Sequence, residues 1–141
     1  MQYWLFKSEP NTWSWDDQQN VKMEGWDGVR NYQASNNMKA MKIGDLGFFY
    51  HSVKEKTIKG IVKVVKEYYP DHTDDTGRWG MVAIAAVCSV KTEVTLADIK
   101  ANPKLADMAL VKQSRLSVSP VKPEEWDIVV SMCGLDPEKL K

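Results

Sequence analysis

LGFFYHSV at positions 46–53 is followed by TIKGIVKVVKEYY at 57–69 and by RWGMVAIAAVCSV at 78–90. All three runs are rich in aromatic or aliphatic residues, and the last two are long and dominated by Val, Ile and Ala. This composition is typical of β-strands with a buried face. The runs predict that the middle of the chain is a β-sheet.

The residues before this sheet predict one strand and two helices. Positions 2–8 are rich in aromatic residues and alternate weakly, as a first strand would. Ser14 has an aspartate three residues later, the pattern of a helix N-cap, and good helix formers fill 31–41 ahead of Gly44. Segment 26–30 is therefore expected just before a helix N-terminus, where backbone amides favour acceptor atoms of a ligand.

The residues after the sheet predict a helix, a short strand and a last helix. Thr95 opens a short helix through the same capping pattern, and 116–119 alternates as a strand does. The last helix begins at Pro123 and is amphipathic. Its apolar residues share one face: Trp126, Val129, Val130 and Cys133. With no repeat or linker, the order predicts a single α+β domain over residues 1–141 with a curled, barrel-like sheet.

The chain as a whole has no net charge, because its 19 Lys and Arg residues equal its 19 Asp and Glu residues in number. Proteins that hold nucleic acid by phosphate attraction alone carry a basic excess, so any nucleic-acid binding here needs a local site. Segment 54–66 holds five lysines and one glutamate, and Lys54, Lys56 and Lys59 are its candidate phosphate contacts. The alternative is that these lysines line the solvated face of a strand.

Cysteine usage and the amino terminus indicate a reduced, unsecreted protein. Cys88 and Cys133 form no CxxC pair, so neither a zinc site nor a disulfide scaffold is predicted. No basic segment precedes an apolar run at the start, and no stretch approaches the ~18 apolar residues of a membrane span. We expect a cytoplasmic protein, or a nuclear one in a eukaryote, with no cofactor, no metal and no membrane partner.

Aromatic and hydrogen-bonding side chains are concentrated in four segments. They are KSEP at 7–10, WDGVRNY at 26–32, FYHS at 49–52 and SRLS at 114–117. No nucleophile–base arrangement or phosphate loop accompanies them. Such side chains can hold a base lifted out of its stack, so they predict a binding pocket and not a catalytic site.

Four of these residues also have structural interpretations. Trp26 can stack on a base or pack in the core. Arg30 can contact a ligand or pair with Asp27, and Asn31 can meet a base edge or cap the following helix. His51 can donate to a ligand carbonyl or be purely structural.

Further interpretations concern the end of the 46–53 strand and an acidic loop. Because strand side chains alternate, one of Tyr50 and His51 is expected to face inward and the other outward. Residues 71–75 have metal-ligand types but not the spacing of an EF-hand, so a solvated loop is predicted. Glu9 and His51 can be arranged as the acid–base pair of a nucleotide-processing enzyme, which remains an alternative function.

The chain resembles the EVE domain family of the PUA-like superfamily over nearly its whole length. The motifs that carry the resemblance, by their order and spacing, are YWLFKSEP at 3–10, WDGVRNYQA at 26–34, GD at 44–45, FYHS at 49–52 and RLSV at 115–118. The resemblance implies a PUA-like β pseudobarrel with surrounding helices. It also implies a pocket similar to that of YTH domains, which read methylated adenosine.

EVE domains are implicated in recognising modified cytosines in DNA and in RNA binding. The resemblance therefore implies a non-catalytic reader that accommodates a flipped, modified base, with modified cytosine in DNA favoured. The base-binding pocket that it implies consists of Lys7, Ser8, Glu9, Trp26, Arg30, Asn31, His51, Ser52, Trp79 and Arg115.

Within this pocket we expect Trp26 or Trp79 to sandwich the base, and Ser8, Asn31 and His51 to meet its polar edge. The alternatives are an RNA-binding protein of the PUA or YTH type, the nucleotide-processing enzyme, and a protein-interaction module with a Trp-rich surface.

Two positions depart from the family pattern. Ser35 stands where an arginine is common, and Ser119 stands where a glutamine is frequent. Loss of a cation beside the pocket affects backbone affinity more than base recognition, because phosphate contacts position a ligand and base contacts specify it.

Overall fold

A computed structural model describes residues 1–53 and 55–140 of the chain. Within these residues, the strands are β1 (Tyr3–Ser8), β2 (Glu24–Gly25), β3 (Leu46–His51), β4 (Thr57–Pro70), β5 (Gly80–Thr95) and β6 (Val118–Val121). The α-helices are α1 (Trp15–Gln19), α2 (Tyr32–Ala40), α3 (Leu96–Ala101), α4 (Ala109–Lys112) and α5 (Pro123–Met132). Two 3₁₀ helices cover Pro103–Leu105 and Pro137–Leu140.

The six strands form one mixed sheet in the order β2-β5-β4-β3-β1-β6. β1 and β3 run parallel, and every other neighbouring pair is antiparallel. The register shifts at four places along β4 and β5, and such irregularities bend and twist a long ribbon. The sheet is a curled pseudobarrel and not a closed barrel, which confirms the predicted α+β class and architecture.

The parallel pairing of β1 with β3 positions the candidate functional site. Register places Lys7 beside Tyr50 and Ser8 beside His51, and the Ser52 amide donates to the Ser8 carbonyl at 2.9 Å. The carboxyl ends of these strands therefore lie at the same edge of the sheet. Two motifs more than 40 residues apart in sequence meet there.

Both faces of the sheet are covered by apolar packing. One face carries a core that includes Leu5, Phe48 and Trp126, and the other carries a core that includes Phe6 and Phe49. Consecutive residues of β1 and β3 thus enter different cores, since strand side chains alternate.

The expectation that one of Tyr50 and His51 faces outward is therefore wrong. Tyr50 is 2% exposed and His51 is 4% exposed, because the sheet has no solvated face at this point. Burial raises the pKa of the Tyr50 hydroxyl to about 12.

The predicted helix boundaries follow local capping. Ser14 and Thr95 each accept the backbone amide three residues on, and each forms a capping box. α5 begins at Pro123 and packs Trp126 flat against Tyr3 at 4.5 Å between ring centroids. The sequence did not reveal β2 or α4, which are only two and four residues long.

In the part of the chain that is described, no helix combines the length and the apolar character needed to cross a lipid bilayer.

Candidate functional site

A cavity of about 620 Å³ opens beside the carboxyl end of β1. Its wall comes from the end of β1, the turn that follows, β2, and the loop before α2. The lining residues include Lys7, Ser8, Glu9, Trp13, Glu24, Trp26, Asp27, Arg30 and Ser117. This volume lies within the roughly 300–1,000 Å³ of ordinary ligand sites. We call this space the main cavity.

The main cavity brings together half of the pocket predicted from the sequence. The predicted residues that line it are Lys7, Ser8, Glu9, Trp26 and Arg30. Ser52 and Arg115 instead line a neighbouring space of about 430 Å³, here called the side hollow. The side hollow shares Lys7, Glu9 and Ser117 with the main cavity.

Asn31 and Trp79 lie outside both spaces. The Asn31 side chain accepts the Ala34 amide at 2.9 Å as the N-cap of α2, which is the capping role considered as its alternative. The half-buried ring of Trp79 packs against Tyr32 with 4.8 Å between centroids. Neither side chain contributes to the cavity wall in this structure.

Trp26 is both a core residue and part of the cavity wall. It is 9% exposed, and its ring meets Phe6 and Phe49 edge-on at 5.4 Å and 5.8 Å between centroids. Its backbone amide donates to the Val82 carbonyl at 2.7 Å. The two interpretations of Trp26 are therefore compatible, and the core contacts hold the ring in place.

Trp13 is a wall residue that the sequence analysis missed. Its indole Nε1 donates to the side chain of Gln18 at 2.9 Å, and fully buried Gln18 donates to the Ile84 carbonyl at 3.2 Å. The Ser8 hydroxyl donates to the Trp13 carbonyl. Its only sequence signal was its position between the KSEP motif and the N-cap at Ser14.

Buried Asp71 anchors the loop that carries Arg30. One carboxylate oxygen accepts the Gly28 amide at 2.8 Å and Arg30 Nη1 at 3.1 Å. The other accepts both the amide and the hydroxyl of Thr73, at 2.7 Å and 2.6 Å. Arg30 therefore pairs with an acid, but the acid is Asp71 and not Asp27.

The loop of residues 71–75 is thus not solvated throughout, because Asp71 is buried. Among the described residues, no group of three or more His, Cys, Asp and Glu side chains could hold a metal ion. The acidic residue works as an anchor for the cavity wall.

Acidification is expected to weaken this anchor. Burial alone would raise the pKa of Asp71, but hydrogen bonds from Thr73, Gly28 and Arg30 outweigh it and lower the pKa from 3.8 to about 2. The folded state therefore binds this proton less tightly than the unfolded state. The stability that Asp71 contributes is present above pH 4 and is lost as the pH falls towards 2. Urea unfolding at stepped pH values measures it.

Asp71→Asn should remove about 1.5–3 kcal/mol at neutral pH, the usual range for hydrogen bonds to a charged group. The same variant should flatten the fall in stability between pH 4 and pH 2, although Asp74, whose pKa is also about 2, leaves a residual slope. Asp75→Asn, at an exposed position in the same loop, is the control. An unchanged slope in Asp71→Asn would contradict the anchoring role.

Family comparison agrees with this architecture. Residues 2–132 match the model of the EVE domain. The chain belongs to the EVE domain family. It is 37% identical to human thymocyte nuclear protein 1 over 169 aligned positions, which cover 96% of this chain and 75% of the human protein.

Solved EVE domain structures superpose closely on this one. A crystal structure of an Agrobacterium tumefaciens protein is 51% identical, covers 97% of this chain and 96% of its own, and gives a TM-score of 0.95. The human THYN1 protein in complex with 5-methylcytosine-containing DNA is 37% identical, with 97% and 100% covered and a TM-score of 0.90. The predicted family membership is confirmed.

In this EVE domain the cations of the main cavity are already engaged. Lys7 Nζ donates to the Ser114 carbonyl at 2.7 Å, and burial lowers the pKa of Lys7. Arg30 is held by Asp71, as described above. The positive groups of the cavity thus have protein acceptors.

The carboxylates of the main cavity have fewer charged partners than its cations do. Glu9 and Glu24 form no ion pair with any described Lys, Arg or His, and Asp27 lies 3.8 Å from His72. Burial raises the pKa of Glu24, and the charge of Asp27 raises it further. The cavity therefore offers acceptors to a ligand that donates hydrogen bonds, and it is poorly suited to a phosphate.

In this EVE domain, His51 has a structural role, because its ring connects β3 to the start of α1 and to Glu55. Its Nε2 accepts the Trp15 amide at 2.9 Å, so the ring proton is on Nδ1, which donates to Glu55 at 2.6 Å. Both ring nitrogens are used, and His51 does not line the main cavity. Glu9 lines the main cavity and the side hollow, whereas His51 lines neither and has both ring nitrogens bonded to Trp15 and Glu55.

The candidate phosphate contacts differ in their surroundings. Lys56 lines the side hollow. Lys59 is held by Glu93 at 3.1 Å and by Glu55 at 3.5 Å. Lys54 lies outside the described residues.

Proposed function

We propose that this EVE domain binds nucleic acid and holds one modified base, flipped out of its stack, in the main cavity. Modified cytosine in DNA is the favoured ligand. The observation that carries the proposal is a cavity of base-accommodating size with two tryptophans in its wall, together with Glu9 and Glu24, which form no ion pair with any described cation. The complex of human THYN1 with 5-methylcytosine-containing DNA supports the choice of ligand.

The tryptophans would supply the stacking energy. Stacking of a base on an aromatic ring contributes about 1–3 kcal/mol, which offsets much of the few kcal/mol needed to unstack it. Trp26 is held edge-on by two phenylalanines, and Trp13 is held by Gln18. A preordered ring loses little freedom on binding, so more of the stacking energy appears as affinity.

The carboxylates would select the edge of the base. Cytosine presents an exocyclic amine that donates hydrogen bonds, whereas thymine presents a carbonyl at the same place. Glu9 and Glu24 can accept hydrogen bonds from the cytosine amine. With thymine, the same carboxylates would face a carbonyl oxygen, which cannot donate a hydrogen bond. These two residues take the place of Asn31 and His51, which are committed to protein partners.

A methyl group on the base would add only a modest preference. Burial of one carbon unit stabilises a complex by about 0.8 kcal/mol, which is a few-fold in affinity. By contrast, an unsatisfied buried polar group costs about 1–3 kcal/mol. Discrimination between cytosine and thymine is therefore expected to exceed discrimination between methylated and unmodified cytosine.

Tryptophan fluorescence titration tests the proposal. Matched short duplexes carry cytosine, 5-methylcytosine or 5-hydroxymethylcytosine opposite guanine, or thymine opposite adenine, at one position. Single-stranded RNA is titrated alongside, and every titration is run at two salt concentrations. We expect few-fold tighter binding of a modified duplex than of the cytosine duplex. Thymine should bind about 5- to 150-fold more weakly than 5-methylcytosine, because an unsatisfied buried acceptor costs about 1–3 kcal/mol.

Glu24→Gln sharpens this test, because an amide can donate to the thymine carbonyl as well as accept. Glu24→Gln should therefore reduce the difference in affinity between the 5-methylcytosine and thymine duplexes. Equal, steeply salt-dependent binding of all duplexes would contradict the proposal. Preference for RNA would favour the RNA-binding alternative.

A further inference from the structure

The side hollow has the opposite charge character to the main cavity. Its charged lining residues are Lys7, Lys56 and Arg115 against Glu9 alone. The main cavity has two cations and three carboxylates in its wall. Because the two spaces share Lys7 and Glu9 in their walls, they lie next to each other.

Two of the cations in the side hollow are exposed and unpaired. Neither Lys56 nor Arg115 forms an ion pair with any residue in 1–53 or 55–140. Lys59, from the same basic segment as Lys56, is held instead by two glutamates. Lys56 and Arg115 therefore remain available to an anionic ligand, whereas Lys59 is neutralised by its glutamate partners.

The backbone on both sides of the side hollow is anchored. The Leu96 amide donates to the Lys56 carbonyl at 2.8 Å, which ties the turn before β4 to the start of α3. On the opposite side, the Lys7 amide donates to the Ser117 carbonyl at 2.9 Å and Lys7 Nζ to the Ser114 carbonyl. The two cations therefore project from fixed segments of chain, which favours a defined contact over diffuse attraction.

We propose that the side hollow binds a backbone phosphate adjacent to the flipped base, with Lys56 and Arg115 as its contacts. The inference rests on the proposed function. It assigns Arg115 to the phosphate and not to the base, and it excludes Lys59 from the phosphate contacts. Arginine suits this role because its planar fork matches phosphate oxygens in a bidentate contact.

Salt dependence distinguishes a phosphate contact from a base contact. Each phosphate neutralised on duplex DNA adds about 0.9 to the slope of log affinity against log salt. Dissociation constants are measured at five salt concentrations with the cytosine and 5-methylcytosine duplexes. The variants are Lys56→Gln, Arg115→Gln and the two combined, and Lys63→Gln, at an exposed position of β4 outside the side hollow, is the matched control.

We expect the slope to fall by about 0.9 in each single variant and by about 1.8 in the double variant. The ratio of affinities for the two duplexes should stay at the wild-type value, because phosphate contacts carry no base information. Lys63→Gln should retain the wild-type slope.

Two results would overturn the inference: an unchanged slope in Lys56→Gln and Arg115→Gln, whether or not base preference is lost, or an equal fall in slope for Lys63→Gln. Wild-type protein without base preference, but with a slope that Lys56→Gln and Arg115→Gln lower, would retain the phosphate site and reject the reader function. Absence of any nucleic-acid binding by the wild type would reject both.

Discussion

Trp26→Ala is expected to lower the free energy of unfolding by about 3–5 kcal/mol, the cost of truncating a large buried aromatic residue. The ring is nearly buried, and its edge-on contacts with Phe6 and Phe49 lie in the core on one face of the sheet. Removal of the indole leaves a cavity next to both phenylalanines. Binding of a modified base should also be lost, because the same ring is part of the cavity wall.

Trp13→Ala separates these two effects. Trp13 is half-buried and belongs only to the margin of that core, so its truncation should cost far less stability. The affinity for a modified duplex should still fall by about 1–3 kcal/mol, the stacking energy of one base. Urea unfolding and fluorescence titration on both variants give the comparison. Wild-type stability of Trp26→Ala would contradict its core role, and wild-type affinity of Trp13→Ala would remove it from the site.

Gly60→Ala is expected to be the most disruptive single-methyl change in this EVE domain. A Cβ at Gly60 would lie 2.1 Å from Trp15 Cζ2 and 2.4 Å from two other indole atoms. The ring cannot simply swing away, because Trp15 is tied by its amide to His51 and by its indole nitrogen to Ser89. We expect a loss of about 3 kcal/mol, at the upper end of overpacking costs.

The effect should reach the main cavity through α1. Trp15 is the first residue of α1 and is separated from Trp13 by one residue, so displacement of its ring shifts the wall of the main cavity. Affinity for a modified duplex should therefore fall along with stability. Lys63→Ala, on the exposed side of the same strand, should leave both unchanged.

A double-mutant cycle identifies the contact responsible. In a Trp15→Leu background the smaller side chain leaves room for the added methyl, so Gly60→Ala should cost much less than in the wild type. Equal costs in the two backgrounds would show that the clash with Trp15 is not the cause.

The local elements of this fold were predictable because their signals lie within a few residues. Ser14 and Thr95 each place an acid three residues on, and a capping box needs no distant partner. The apolar face of α5 follows from helical spacing that begins at Pro123. Very short elements could not be predicted in this way, because the two residues of β2 are too few to show a pattern.

For the candidate site, the sequence predicted which motifs meet around a cavity but not which of their residues line it. The motifs after β1 and before α2 do meet at the main cavity. Yet the Asn31 side chain caps its own helix, and the His51 ring is hydrogen-bonded to Trp15 and Glu55. A residue type that suits a ligand equally suits a protein partner, and only the neighbours in space distinguish the two.

The amino-acid sequence by itself determined the family, the α+β class and the capped helices, because these depend on local composition, spacing and order. The tertiary structure alone placed Arg30 on Asp71, 41 residues away, and brought Trp13 into the cavity wall. It also buried both Tyr50 and His51. The physical reason is that these contacts are set by strand pairing and by the packing of both sheet faces, which join segments far apart in the chain.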